Sequence, residues 1–90
     1  SEGLVDFVMC YKDKRRPCSQ RAYMTMGEIM HNPANIPQDL RGKDVLLKWM
    51  PPGKQTLCVL GDPQATLKDL QTTVGDGVEV AIHIEEDDGW

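Results

Sequence analysis

Val45-Leu46-Leu47-Lys48-Trp49-Met50, then Pro51-Pro52-Gly53-Lys54, then Gln55-Thr56-Leu57-Cys58-Val59-Leu60 form the stretch on which the fold turns. The first and last of these are rich in strand formers. The two prolines lack donors and Gly53 tolerates positive φ, so the middle turns the chain and the whole predicts a hairpin. Gly61-Asp62-Pro63 closes the return strand. Thr66-Leu67-Lys68-Asp69 sets an N-cap hydroxyl three residues before a carboxylate, a capping-box pattern. Leu67, Leu70 and Val74 share one helical face, and Gly75-Asp76-Gly77 ends that helix. Val78, Val80, Ile82 and Ile84 alternate with Glu79, Ala81, His83 and Glu85, the pattern of a half-buried strand. Residues 43–84 therefore predict strand, turn, strand, helix, strand.

Upstream, the pattern is less decided. Leu4, Phe7, Val8 and Tyr11 fit a helical face, while Val5, Phe7, Met9 and Tyr11 fit a strand equally well. Ser1 as an N-cap and Glu2 in a first turn tilt the reading toward helix, and Gly3 argues against it. Residues 12–21 hold Lys12, Lys14, Arg15, Arg16 and Arg21, with Pro17 among them, and read as a basic loop. Tyr23, Thr25 and Met26 favour a strand, bent at Gly27. Asn32 to Pro37 reads as irregular. The order predicts an α+β domain: a mostly antiparallel sheet with helices on one face. The domain is expected to span residues 1–84, with an acidic linker over 85–90.

Ninety residues make one domain with a small core. No run of 18 apolar residues occurs, and the first residues lack the pattern of a signal peptide. Three cysteines leave one unpaired, which predicts a reducing compartment. The net charge of −4 conceals a division. Residues 1–54 carry nine basic against six acidic residues, and residues 55–90 carry Lys68 against eight acidic ones. Such asymmetry predicts two electrostatically distinct surfaces.

No residue set spells out a reaction. Cys10 and Cys18 lack the short spacing of a structural zinc pair, and Cys10 and Cys58 read as core residues. Cys18 lies near Arg15 and Arg16, cations that would favour a thiolate, but no base is fixed beside it. It reads as an exposed loop thiol, and His83 as a solvated imidazole on the polar side of a strand. Glu85 to Asp88 lacks the spacing of a calcium loop. No metal, cofactor or catalytic residue is expected. The basic segment is the one feature with a candidate partner, single-stranded RNA. Lys14, Arg15, Arg16 and Arg21 would meet phosphates and Tyr23 would stack a base, with Tyr11 and Trp49 as other rings. Against this stand an acidic sequence pI of about 5.0 and the lack of an RNP-type aromatic pair or a GXXG clamp.

The second half resembles a family. Ser1-Glu2 with Leu4, Val5 and Val8, Gly42-Lys43-Asp44 before Val45, Leu67-Lys68-Asp69-Leu70, and Val78 to Ile82 before Glu85-Glu86-Asp87 carry the likeness. The pattern is similar to the C-terminal portion of the SARS-unique domain of coronavirus non-structural protein three. That portion lies upstream of a ubiquitin-like domain and a papain-like protease. Residues 12–37 are longer than the family pattern. The resemblance implies a frataxin-like fold, with an antiparallel sheet of about five strands, two helices on one face, and a helix at the N-terminus. It implies a monomeric, non-catalytic replicase module that assists RNA binding by neighbouring domains of the same polyprotein. It also implies residence in the host cytoplasm, on replication membranes through the parent protein. Two alternatives stand beside it: a protein-interaction or spacer module docking through its acidic side or a sheet edge, and a frataxin-type iron binder. For the latter, Glu2, Asp6 and Asp13 form no continuous ridge.

Overall fold

A computed structural model describes residues 3–89. Five strands and two α-helices follow in the order β1 (Leu4–Tyr11), β2 (Lys14–Arg21), α1 (Met26–His31), β3 (Val45–Trp49), β4 (Cys58–Val59), α2 (Leu67–Val74) and β5 (Val80–Glu86). Two 3-10 turns, Pro33–Asn35 and Gln38–Leu40, lie between α1 and β3. The sheet order is β2-β1-β5-β3-β4. The first and last strands are parallel neighbours at its centre, with Phe7 beside Val80 and Cys10 beside His83. The other pairs are antiparallel. The sheet is thus mixed: mostly antiparallel, as the element order predicts, but not the wholly antiparallel sheet that the resemblance implied. No described helix is long and apolar enough to cross a membrane.

The second half follows its sequence signals closely. β3 and α2 fall where the pattern put them, and Thr66 and Asp69 close the capping box in both directions. Leu67 and Leu70 are buried, with Val74 packed beside them. Two details differ. The return strand shrinks to Cys58–Val59. β5 begins at Val80 and continues through Glu86, so Val78 lies outside it and exposed. Glu85 and Glu86 pair with Leu46 and Val45. The domain boundary expected at Ile84 therefore falls inside a strand, and residues 85 and 86 belong to the sheet rather than to a linker.

The first half departs from expectation at each element. Residues 4–11 form a strand, not a helix. Val5, Phe7 and Met9 face the core, and the long-range pairing with β2 and β5 overrides an ambiguous local pattern. The Ser1 cap and Glu2 first turn lie outside the described residues. The basic segment is no loop but β2, hairpinned to β1 through Lys12-Asp13, where Lys12 takes a φ of 55°. Pro17 is tolerated because β2 is an edge strand. Residues 23–26, expected as a strand, lead instead into α1. Its cap is Thr25, whose hydroxyl accepts from the Glu28 N–H while Glu28 Oε1 accepts from the Thr25 N–H at 3.1 Å. Gly27 marks no bulge. It sits in α1, where an added Cβ would stand 3.2 Å from the Pro63 carbonyl oxygen.

The two helix starts are tied together. Thr25 and Thr66 form an isolated antiparallel bridge, and Met26 N–H donates to Ala65 O at 2.8 Å while Leu67 N–H donates to Met24 O at 3.0 Å. Both helices thereby approach the same side of the sheet. Met26, Ile29, Leu67 and Leu70 pack there on Val5, Phe7, Met9, Leu47, Val80, Ile82 and Ile84 in one buried cluster. Helices on one face were expected, and that coarse layout holds.

Candidate functional surfaces

Strand alternation sends the residues between these core positions to the uncovered face. Across the sheet, Arg15, Cys10, His83, Lys48 and Val59 are successive neighbours in register. Beside that row run Pro17, Val8 and Ala81. Val59 and Met50 are among the most exposed large apolar residues.

Two cations at the centre of this open face, Arg15 and Lys48, are paired across strands, whereas Asp6 and Arg21 at its end are in no ion pair among the described residues. Arg15 on β2 crosses β1 to form an ion pair with Glu79, just before β5. Lys48 holds Glu85 at 2.6 Å, and at the sheet end Lys43 reaches Glu86 at 3.6 Å. Each pair joins a base from residues 1–54 to an acid from 55–90. The charge division along the chain is in this way folded back on itself, because β5 lies between β1 and β3. The expectation of two electrostatically distinct surfaces fails at these three pairs.

Arg15 also explains a buried thiol. Cys10 points to the open face yet is only 3% exposed. The Arg15 guanidinium lies over it, with Nη1 3.8 Å from Sγ. Burial pushes the Cys10 thiol above its ordinary pKa; Arg15 pulls it back and Glu79 raises it further. The Arg15 guanidinium is itself held more firmly protonated by its hydrogen bond to Glu79. Cys18, expected as an exposed loop thiol, is half-buried on the helix-bearing side of β2 against the core. Cys58 is half-buried, and no disulfide links the three. Among the described residues no group of three or more His, Cys, Asp or Glu side chains is placed to hold a metal.

The five residues expected to meet RNA are divided by the pleat of β2. Lys14 and Arg16 point to the helix-bearing side, in register with Tyr11 and Met9. Arg15 and Arg21 point to the open face, in register with Cys10 and Leu4. Tyr23 stands beyond the strand, 81% exposed. On the helix-bearing side, Lys14 and Arg16 rim a cleft of about 390 Å³ between the β1–β2 hairpin and residues 34–39. Its apolar surface comes from Met9, Ile36, Pro37 and Ile84. Tyr11 lines it too, with the Lys12 ammonium 5.2 Å above its ring centre. Reading the basic segment as a loop hid this cleft. The alternation of Tyr11, Met9, Lys14 and Arg16 about a two-residue turn was the signal for it.

No protein-family model matches the chain, and no curated protein matches it in sequence.

Proposed function

We propose that this chain is a non-catalytic protein-interaction module that docks a partner on the open face of its sheet. Helices cover one side only, and the uncovered side presents Pro17, Val8, Ala81 and Val59 beside cations and acids that already neutralise one another. That pairing carries the reading. The centre of the face, where Arg15 and Lys48 are already paired, can be desolvated under a partner without stranding those ions, while Asp6 and Arg21 stay at its rim in water. The fitting partner presents an apolar side chain to Val8 and Ala81 within a neutral polar surround. Strand addition is the weaker route, because Pro17 interrupts the β2 edge and β4 has only two residues.

We infer a β-grasp arrangement in place of the frataxin-like one, supported by the central parallel pair of first and last strands and by a strand where frataxin-like folds begin with a helix. The fold does not by itself assign a function. The helix that the resemblance to a coronavirus replicase module implied at the N-terminus is strand β1, and we do not extend that resemblance to a function.

A photo-crosslinking residue at position 81, compared with one at Thr72 on α2, tests the docking surface. A partner caught at 81, bound again as a purified protein, should shift the amides of Val8, Cys10 and Ala81. Ala81→Arg should weaken that complex at least tenfold by placing a charge in the apolar centre. A footprint confined to the helices, or an unaffected Ala81→Arg complex, would overturn the reading.

A further inference from the structure

We propose that the cleft between the β1–β2 hairpin and residues 34–39 is a second binding site, which takes an acidic peptide segment with an apolar anchor side chain. Independent of the open face, it lies on the opposite side of the sheet. A module with both sites can bridge two partners.

Three observations select this ligand. Lys14 and Arg16 share one side of β2 and, among the described residues, neither is in an ion pair. They differ in this from Arg15, Lys43 and Lys48, which the fold has already neutralised. Two unpaired cations on the rim favour a ligand carrying at least two negative charges. The apolar surface of the cleft is aliphatic, from Met9, Ile36, Pro37 and Ile84, and suits a buried Leu, Ile or Phe side chain. Buried Asn35 braces the wall: its Nδ2 donates to Ile29 O at 3.2 Å, and its Oδ1 accepts from Gln20 Nε2 at 3.4 Å. The wall is thereby fixed to α1 and β2 before any ligand arrives.

A nucleic-acid strand fits this cleft less well. Among the described residues Tyr11 is the only ring that lines it, and Lys12 occupies one face of that ring. Single-strand binders use successive stacking rings along a continuous cationic track. Here the track is broken, since Arg15 and Arg21 point to the other side of β2; Asp39 on the rim opposes either anion, so the peptide's glutamates must meet Lys14 and Arg16.

The test uses the full chain and two fluorescent probes. One is a ten-residue peptide with a central Leu-x-x-Phe pair flanked by glutamates; the other is a single-stranded RNA of equal charge. The peptide should bind, shift the amides of Met9, Lys14, Arg16 and Ile36, and weaken as salt rises. The double variant Lys14→Glu, Arg16→Glu should weaken it at least tenfold, whereas Lys68→Glu on α2 should leave it unchanged. Replacing the peptide's Leu and Phe by Ser should also lower affinity at least tenfold, a loss that charge attraction alone would not produce. Retained binding in the double variant, indifference to the Leu and Phe, shifts on the open face instead, or preferential binding of the RNA at these residues would each overturn the proposal. Failure here leaves Val8, Pro17 and Ala81 untouched, so it is distinguishable from failure of the open-face docking site.

Discussion

The two sides of the sheet are made by the same strands and differ in what covers them. On one side Val5, Phe7, Val80 and Ile82 lie beneath two helices and are nearly inaccessible, with Met9 and Ile84 at the edge of that cluster on the cleft. On the other, their chain neighbours Val8, Ala81 and His83 remain half-open, and a cross-strand ion pair rather than a helix shelters Cys10. Stability is therefore concentrated on one face. The other is left able to exchange its solvent for a partner at small cost to the fold.

The largest test of that division lies in paired truncations. Phe7→Ala or Ile82→Ala should cost roughly 3–5 kcal/mol in denaturant unfolding, from lost transfer energy plus a residual cavity. Val8→Ala on the open face should cost under about 1 kcal/mol, because its site is not enclosed. Equal losses would abolish the distinction between the faces.

The helix starts come next. Thr25→Ala and Thr66→Ala should each cost about 1 kcal/mol by orphaning the first-turn N–H groups. Because the two caps bridge directly, the double variant should depart from additivity, whereas caps on independent helices would add.

Cys10 sharpens the comparison from the open side. Its pKa is raised in the fold, so the folded state favours the protonated thiol. The unfolded chain loses this proton first. The thiol's contribution to stability is therefore complete below about pH 9 and is lost as pH climbs through the raised folded value. Cys10→Ala should flatten that alkaline decline in a pH series of unfolding curves. Iodoacetamide should label Cys10 slowly, and Arg15→Ala should speed the labelling by uncovering Sγ. Unchanged labelling in that variant would show that the guanidinium is not the cover.

The smallest effect is expected at Lys48. Its pairing with Glu85 is partly exposed, and Lys48→Met should change stability by less than about 1 kcal/mol, with the difference shrinking further in high salt.

Local chemistry was enough for β3, the turn after it and α2, though not for the length of the return strand. Two prolines and a glycine had to turn the chain, and Thr66 with Asp69 had to start a helix whose leucines share a face. The same logic applied to Thr25 and Glu28 identifies α1, and that capping box is the plainer of the two. Tyr23 and Thr25 masked it because both favour strands.

Other features have no local signature. Residues 4–11 suit helix and strand alike, and only the parallel pairing with β5, some seventy residues away, makes them a central strand. Pro17 argues for a loop until β2 is known to be an edge. The distribution of Lys14, Arg15, Arg16 and Arg21 between two faces depends on a register set by the turn at Lys12, and the neutralisation of Glu79, Glu85 and Glu86 on strand order. Composition and periodicity thus dictate which segments can bury an apolar side. Which segments become neighbours, and hence which charges stay free for a ligand, depends on long-range pairing, because that energy is shared between residues far apart in the chain.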